Sequence, residues 1–257
     1  MNSHESPLSS TDSPRTALVT GGGSGIGAAC AGRLARGGAS VVVADIDEAS
    51  ARQVTEKIRA GGGTARAARV DTTDPDAVSA LVEGIVAASR RLDLAVNAAG
   101  ILGPLAPLTE LPPADFRRII EVNLTGLFHC LRAELTAMAT GRGGVIVNLA
   151  STASHVAFPT MAAYTASKHA VIGLTKAAAV EYAGAGIRVL ALAPTAVDTP
   201  LLDAAPAALV QAALNSQAVR RLARPDEVAA MVEFLASDNA AFVTGSVHLF
   251  DGGYLAS

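Results

Sequence analysis

The chain has 257 residues, and its 20 basic and 23 acidic side chains give a formal net charge of −3. Half of the residues are hydrophobic and only 17% are charged, which excludes a disordered chain and leaves no basic footprint for a nucleic-acid partner. At this length roughly three-quarters of the extended surface can be buried, so one sizeable core needs neither metals nor disulfides.

Residues 1–14 are rich in Ser, Pro, Asp and Thr and lack the basic and apolar stretches of a signal peptide, so a flexible tail is expected there. No apolar stretch reaches the ~20 residues of a membrane span; a cytoplasmic protein with no membrane partner is expected. From residue 15 to residue 257, short β-branched runs alternate with helical patterns. The runs cover 17–20, 40–45, 64–70, 92–97, 144–149, 187–191 and 246–250, and helices are expected near 25–37, 48–60, 75–89, 113–140, 162–183 and 225–236. Most runs are continuously apolar, which suits parallel strands covered on both faces. The alternation predicts an α/β protein, a single-domain Rossmann fold with a doubly wound seven-stranded parallel sheet and helices on both faces. Cys30 and Cys130 lie in apolar helical patterns without a CxxC neighbour; they read as small buried hydrophobes, and no metal site is expected. The segment 194–224 carries Pro194, Pro200 and Pro206 and an amphipathic patch at 207–214. It follows a strand's carboxyl end, where open α/β sheets bind ligands, and is expected to form a lid.

The first run leads through Thr20-Gly21-Gly22-Gly23-Ser24-Gly25-Ile26-Gly27 directly into a helix. That context suits a pyrophosphate: glycines allow the sharp turn and close approach, and the helix start offers free N–H groups and its dipole. Gly21, Ser24, Gly25, Ile26 and Gly27 are therefore candidate cofactor contacts. Asp45 ends the second run, eighteen residues after Gly27. A carboxylate there can accept from both hydroxyls of an adenosine ribose and would repel a 2′-phosphate, so NAD is favoured over NADP.

The loop at 20–27, Asn97-Ala98-Ala99-Gly100, Ser151 and Tyr164-Thr165-Ala166-Ser167-Lys168 together resemble the short-chain dehydrogenase/reductase family, in its compact branch of about 250 residues. The resemblance spans about Arg15 to Gly253. It implies a catalytic set of Asn123, Ser151, Tyr164 and Lys168, an adenine contact at Asp71, a sheet-steadying role for Asn97, and cofactor contacts at Ala98 to Gly100. It also implies a homotetramer built on the helices at 113–140 and 162–183 and on the carboxyl end. One departure stands out: the family's Pro-Gly after the sixth strand is Pro194-Thr195 here. Val197 and Thr199 follow, and Thr199 matches the residue that bonds the nicotinamide carboxamide.

These residue types suit hydride transfer between a carbinol carbon and nicotinamide. An unperturbed Tyr titrates near 10, too high for a base at neutral pH. Lys168, one turn after Tyr164, brings an ammonium that stabilises the phenolate. Ser151 can donate to the substrate oxygen, and Asn123 can hold a water beside Lys168 that leads the proton to solvent. Around the reacting carbon, Ile101, Leu102, Val156, Phe158, Met161, Ala196, Val197, Leu201 and Leu202 bring no Lys or Arg; His155 is the one candidate cation, with Arg220 or Arg221 able to swing in from the lid. The expected substrate is a neutral, largely apolar secondary alcohol or ketone. Two other functions remain open, a 3-oxoacyl thioester reductase, against which Asp45 argues, and a non-catalytic NAD-binding regulator, against which the intact tetrad argues.

Overall fold

A computed structural model describes residues 14–203 and 205–256. The expected tail lies outside the described residues except for Pro14. Seven strands form one parallel sheet: β1 (Thr16–Thr20), β2 (Ser40–Asp45), β3 (Thr64–Arg69), β4 (Leu94–Asn97), β5 (Gly144–Leu149), β6 (Ile187–Pro194) and β7 (Val247–Phe250). Their order is β3-β2-β1-β4-β5-β6-β7, so the winding reverses between β1 and β4 and opens a crevice at the carboxyl ends there.

The apolar runs divide residue by residue between two cores. Ala17, Val19, Val41 and Val43 face one side, packed by Cys30, Leu34, Val228 and Val232. These side chains come from α1 (Gly25–Arg36) and, later in the chain, from a helix at Pro225–Ala236, with α2 (Glu48–Ala60) beside α1. Leu18, Val42, Ala95 and Ile146 face the other side. There they meet α3 (Pro75–Ser89), then a long helical segment over residues 113–139, then α6 (Ala162–Tyr182). Both cysteines are buried and free, and desolvation pushes the Cys30 thiol up to about 12, so they are inert packing groups.

The helix expected over 113–140 is not uniform. It consists of α4 (Pro113–Ile120), a π-turn over Glu121–Thr125, and α5 (Gly126–Ala139). A π-turn admits one extra residue without ending the helix, and here the residue at its centre is Asn123. The lid segment also has structure of its own, a short α7 (Pro200–Asp203) and α8 (Ala207–Ser216), ahead of α9 (Pro225–Ala236). The isolated bridge Val197–Ala223 closes its base. None of the described helices is long and apolar enough to cross a membrane.

Candidate active site

The glycine loop leaves β1 at Thr20 and enters α1 at Gly25. Gly21 has φ +64°, and a side chain there would come within 2.6 Å of the Ala99 nitrogen. A side chain on Gly27 would collide with the Gly21 carbonyl oxygen. These two positions let the loop, the start of α1 and the Asn97–Gly100 segment touch one another, which leaves a cradle with exposed backbone N–H groups. Above it opens a cavity of about 440 Å³ bordered by Ser24, Gly25, Ile26, Asp45, Asp71 and Gly100.

Asp45 holds the rim: its Oδ2 accepts from Gly23 N at 2.9 Å and its Oδ1 from Asp47 N at 3.0 Å. Asp71 Oδ1 accepts from the backbone and hydroxyl of Thr73 at 2.9 and 2.8 Å, and these bonds hold its carboxyl below the usual range. Arg118, from α4, also borders this cavity and acts electrostatically on Asp71. Sequence reasoning missed it, because α4 lies far along the chain from both carboxylates.

A second cavity, of about 490 Å³, continues from the first past Ile26, Ala98, Gly100 and Thr199. Tyr164 and Lys168 border it from α6, Ser151 from the end of β5, and Pro194 and Val197 from the end of β6. Ser151 caps a short 3₁₀ turn, its Oγ accepting from Ala153 N at 3.1 Å. Lys168 is 6% exposed; its Nζ donates to the Leu149 carbonyl at 2.7 Å and stands 5.7 Å from the centre of the Tyr164 ring. Burial lowers the Lys168 ammonium to about 8. For Tyr164 burial raises the pKa and a hydrogen bond with Ser151 lowers it, with burial the larger effect.

Asn123 is buried at the π-turn. Its Oδ1 accepts from Ile101 N at 2.8 Å, and its Nδ2 donates to the Ile101 carbonyl at 2.9 Å and to Ser167 Oγ at 3.2 Å. Its side-chain donors are therefore committed to protein. Beside it, a cavity of about 10 Å³ bordered by Asn123, Lys168 and Asn97 is close to the size of one water. Thr195, the family departure, has no positive φ and donates its N–H to Phe250 O at 3.2 Å, so the chain keeps its course without a glycine. Thr199 Oγ1 donates to Val197 O at 3.1 Å.

Of the apolar side chains expected around the reacting carbon, Leu102, Phe158, Met161, Ala196, Val197, Leu201 and Leu202 border the cavity of about 490 Å³; Ile101 faces the one of about 440 Å³, and Val156 and the exposed His155 face neither. Arg221 is bound to Glu227 through two bonds of 2.8 Å and is not in the cavity. The structure adds Leu209, Val210 and Ala213 from α8, and Tyr254, whose ring lies 5.8 Å from that of Phe158. The helical pattern at 207–214 was the only signal for α8, and Tyr254 gave none.

A family model described as enoyl-(acyl carrier protein) reductase matches residues 21–255. The chain is 46% identical to cis-4-hydroxycyclohexanecarboxylate dehydrogenase of Sinomonas cyclohexanicum, over 94% of this chain and 97% of that protein. It is 43% identical to cyclohexanol dehydrogenase of Acinetobacter sp. (strain SE19), over 97% and 98%. The crystal structure of levodione reductase superposes with a TM-score of 0.90 at 33% identity, covering 95% of this chain and 98% of that one. A match of this extent, on a doubly wound sheet whose crevice gathers Ser151, Tyr164 and Lys168, places the chain in the short-chain dehydrogenase/reductase family, and with it among the nicotinamide-dependent oxidoreductases.

Proposed function

We propose that the chain oxidises neutral, ring-bearing secondary alcohols with NAD and, in reverse, reduces the matching ketones. The observation that carries this reading is the character of the larger cavity: its wall is overwhelmingly apolar, and Lys168, beside Tyr164, is the only cation among the residues that border it. An unpaired substrate anion buried there would cost several kcal/mol, whereas each buried methylene contributes about 0.8 kcal/mol. Both relatives, named for a cyclohexanol and for a hydroxycyclohexane acid, support a ring carbinol, and the cyclohexanol relative alone supports a neutral one; the cavity wall carries the neutrality.

In this reading Gly21, Ser24, Gly25, Ile26 and Gly27 hold the pyrophosphate, Asp45 the adenosine ribose and Asp71 the adenine edge. Ala98, Gly100, Pro194, Val197 and Thr199 border the nicotinamide half, with Asn97 steadying the loop beneath. When bound, the nicotinamide accepts a hydride from the carbinol carbon or returns it to a carbonyl. Tyr164 removes the hydroxyl proton in oxidation and supplies it in reduction. Ser151 donates to the substrate oxygen, and its hydrogen bond with Tyr164 offsets part of the burial that raises the phenol; Lys168 brings an ammonium 5.7 Å from the centre of that ring. Asn123 shapes the small cavity through which a water carries the proton away. The region 15–257 works as one catalytic domain in the cytoplasm. It assembles as a homotetramer through the helical faces that expose Phe116, Phe128 and Val180 and through the carboxyl end that exposes Leu249.

Initial rates of cyclohexanol oxidation with NAD and with NADP test the reading. The expected result is turnover with a kcat/KM at least about tenfold higher for NAD. Faster reduction of an acetoacetyl thioester with NADPH, or no turnover of any cyclic alcohol, would overturn it.

A further inference from the structure

The most unusual ionisable side chain in the structure lies outside this machinery. Glu134, on α5, has no solvent exposure, and none of the ion pairs among the described residues includes it. Its Oε2 accepts from Asn97 Nδ2 at 2.9 Å, and its Oε1 has no hydrogen-bond partner. A carboxylate with no cation and no solvent exposure is costly, and desolvation pushes this group up to about 7. An apolar side chain would fill the same place without stranding an oxygen. The carboxyl is thus a liability to the core unless its one bond, to Asn97, serves a purpose.

Asn97 is the centre of a row that crosses three adjacent strands. Thr20 on β1 is its register partner on one side and Asn148 on β5 on the other. Thr20 Oγ1 donates to Asn97 Oδ1 at 3.3 Å, Asn97 Nδ2 donates also to Asn148 Oδ1 at 3.1 Å, and Asn148 Nδ2 donates to Thr175 Oγ1 on α6 at 3.0 Å. Both Nδ2 hydrogens of Asn97 are used, and a flipped amide would set its oxygen against two acceptors. Thr20 and Asn97 are also the last residues before the two loops that meet at Gly21 and Ala99. Whatever orients the Asn97 amide therefore sets how those loops abut.

We propose that Glu134 is a positioning residue for the dinucleotide site: by accepting from Asn97 Nδ2 it fixes the Asn97 amide and so the register between the Thr20–Gly25 and Asn97–Gly100 loops. The inference rests on the dinucleotide reading of the cleft. It accounts for a buried carboxyl that the chemistry does not use, and it assigns Glu134 no contact with substrate or cofactor.

NADH fluorescence titration of the wild type, E134Q and E134M tests it, with thermal melting of each. Gln keeps the acceptor and the neutral state, so its Kd should stay within about twofold of wild type. Met fills the space but removes one of the three bonds that orient the Asn97 amide, so its Kd should rise at least about fivefold while its Tm holds or increases, since a desolvated carboxyl is gone. A loss of binding without a loss of stability is what a merely structural role would not produce. An E134M protein that binds NADH within about twofold of wild type would overturn the inference, as would an E134Q protein weakened as much as E134M. If E134M does not fold, T20V decides: it cuts the same row from the other side, and binding unchanged from wild type would equally overturn the inference. A wild type that does not bind NADH would instead sink the dinucleotide reading itself.

Discussion

At the scale of single residues, the site is a set of opposed shifts. Burial drives the Tyr164 phenol up and the Lys168 ammonium down, to about 8, so each group is more reluctant to ionise than it would be in water. For Tyr164 the hydrogen bond with Ser151 relieves part of that penalty, and a protonated Lys168 would favour the phenolate further where the dielectric is low. If Tyr164 is the proton carrier, Tyr164→Phe should lower kcat by about a thousandfold or more, within the range of general acid–base catalysis. NADH binding should persist, because the phosphate cradle and Asp45 are untouched; a Phe variant that keeps a tenth of normal kcat would remove Tyr164 from that role. The proposed preference for NAD is also a single-residue matter. A 2′-phosphate beside Asp45 would face a carboxylate already oriented by Gly23 N, and a tenfold discrimination needs only about 1.4 kcal/mol. Asp45→Ser combined with Ile46→Arg should therefore erode or reverse the NAD preference in kcat/KM, and an unchanged ratio would show that Asp45 does not read the ribose.

Elements add what single residues cannot show. The strands and their crossover helices were legible in the sequence because parallel strands buried on both faces leave unbroken apolar runs, such as 41–44 and 189–193. The glycine loop and the Tyr164–Lys168 pair were legible because their spacing is local. The π-turn at Glu121–Thr125 was not, since one extra residue within a helical stretch leaves the apolar period almost unchanged. Glu134 was not either: a Glu in an amphipathic pattern reads as a solvent-facing residue, and only the packing of α5 on β4 and β6 shows it buried. Its burial has a consequence for stability. The carboxyl is raised from 4.5 to about 7, so the folded state binds more protons than the unfolded state between those values. Stability from this group is complete below 4.5 and is lost as pH rises through 7, by about 3 kcal/mol at the upper end. Glu227, lowered to about 2 chiefly by its hydrogen bond with Arg221, titrates in a lower window, and Lys168 in a higher one. Urea unfolding at about pH 5 and about pH 8 should thus show a larger decline for wild type than for E134Q. Parallel declines would mean that Glu134 does not titrate in the folded core.

The whole molecule sets which substrates reach this chemistry. The reversal of winding between β1 and β4 opens the crevice, the ends of β5 and β6 bring Ser151 and Pro194 to its floor, and α7 and α8 cover its outer side with Leu201, Leu202, Leu209 and Val210. Tyr254, near the carboxyl end, closes the far wall against Phe158. Its turn is pinned by Asp251, which accepts from Gly253 N and Leu255 N at 3.0 and 2.9 Å. No Arg borders this cavity: Arg221 is bound to Glu227, Arg220 lies outside the lining, and Arg118 borders the side of the cleft that holds Asp71. An acid substituent on the ring would then lie against apolar wall, unpaired, at a cost of several kcal/mol, or would hold the ring out toward water and away from Tyr164. Its methyl ester has the same ring and carbinol and no charge to desolvate. With 4-hydroxycyclohexanecarboxylate and its methyl ester as a matched pair, kcat/KM should favour the ester by at least about tenfold, corresponding to 1.4 kcal/mol or more. The two should differ mainly in KM if the penalty falls on binding, and in kcat if the acid binds displaced from Tyr164. A tenfold preference for the acid would mean that a cation enters the closed cleft, and loss of that preference in Arg118→Ala, Arg220→Ala or Arg221→Ala would identify which one.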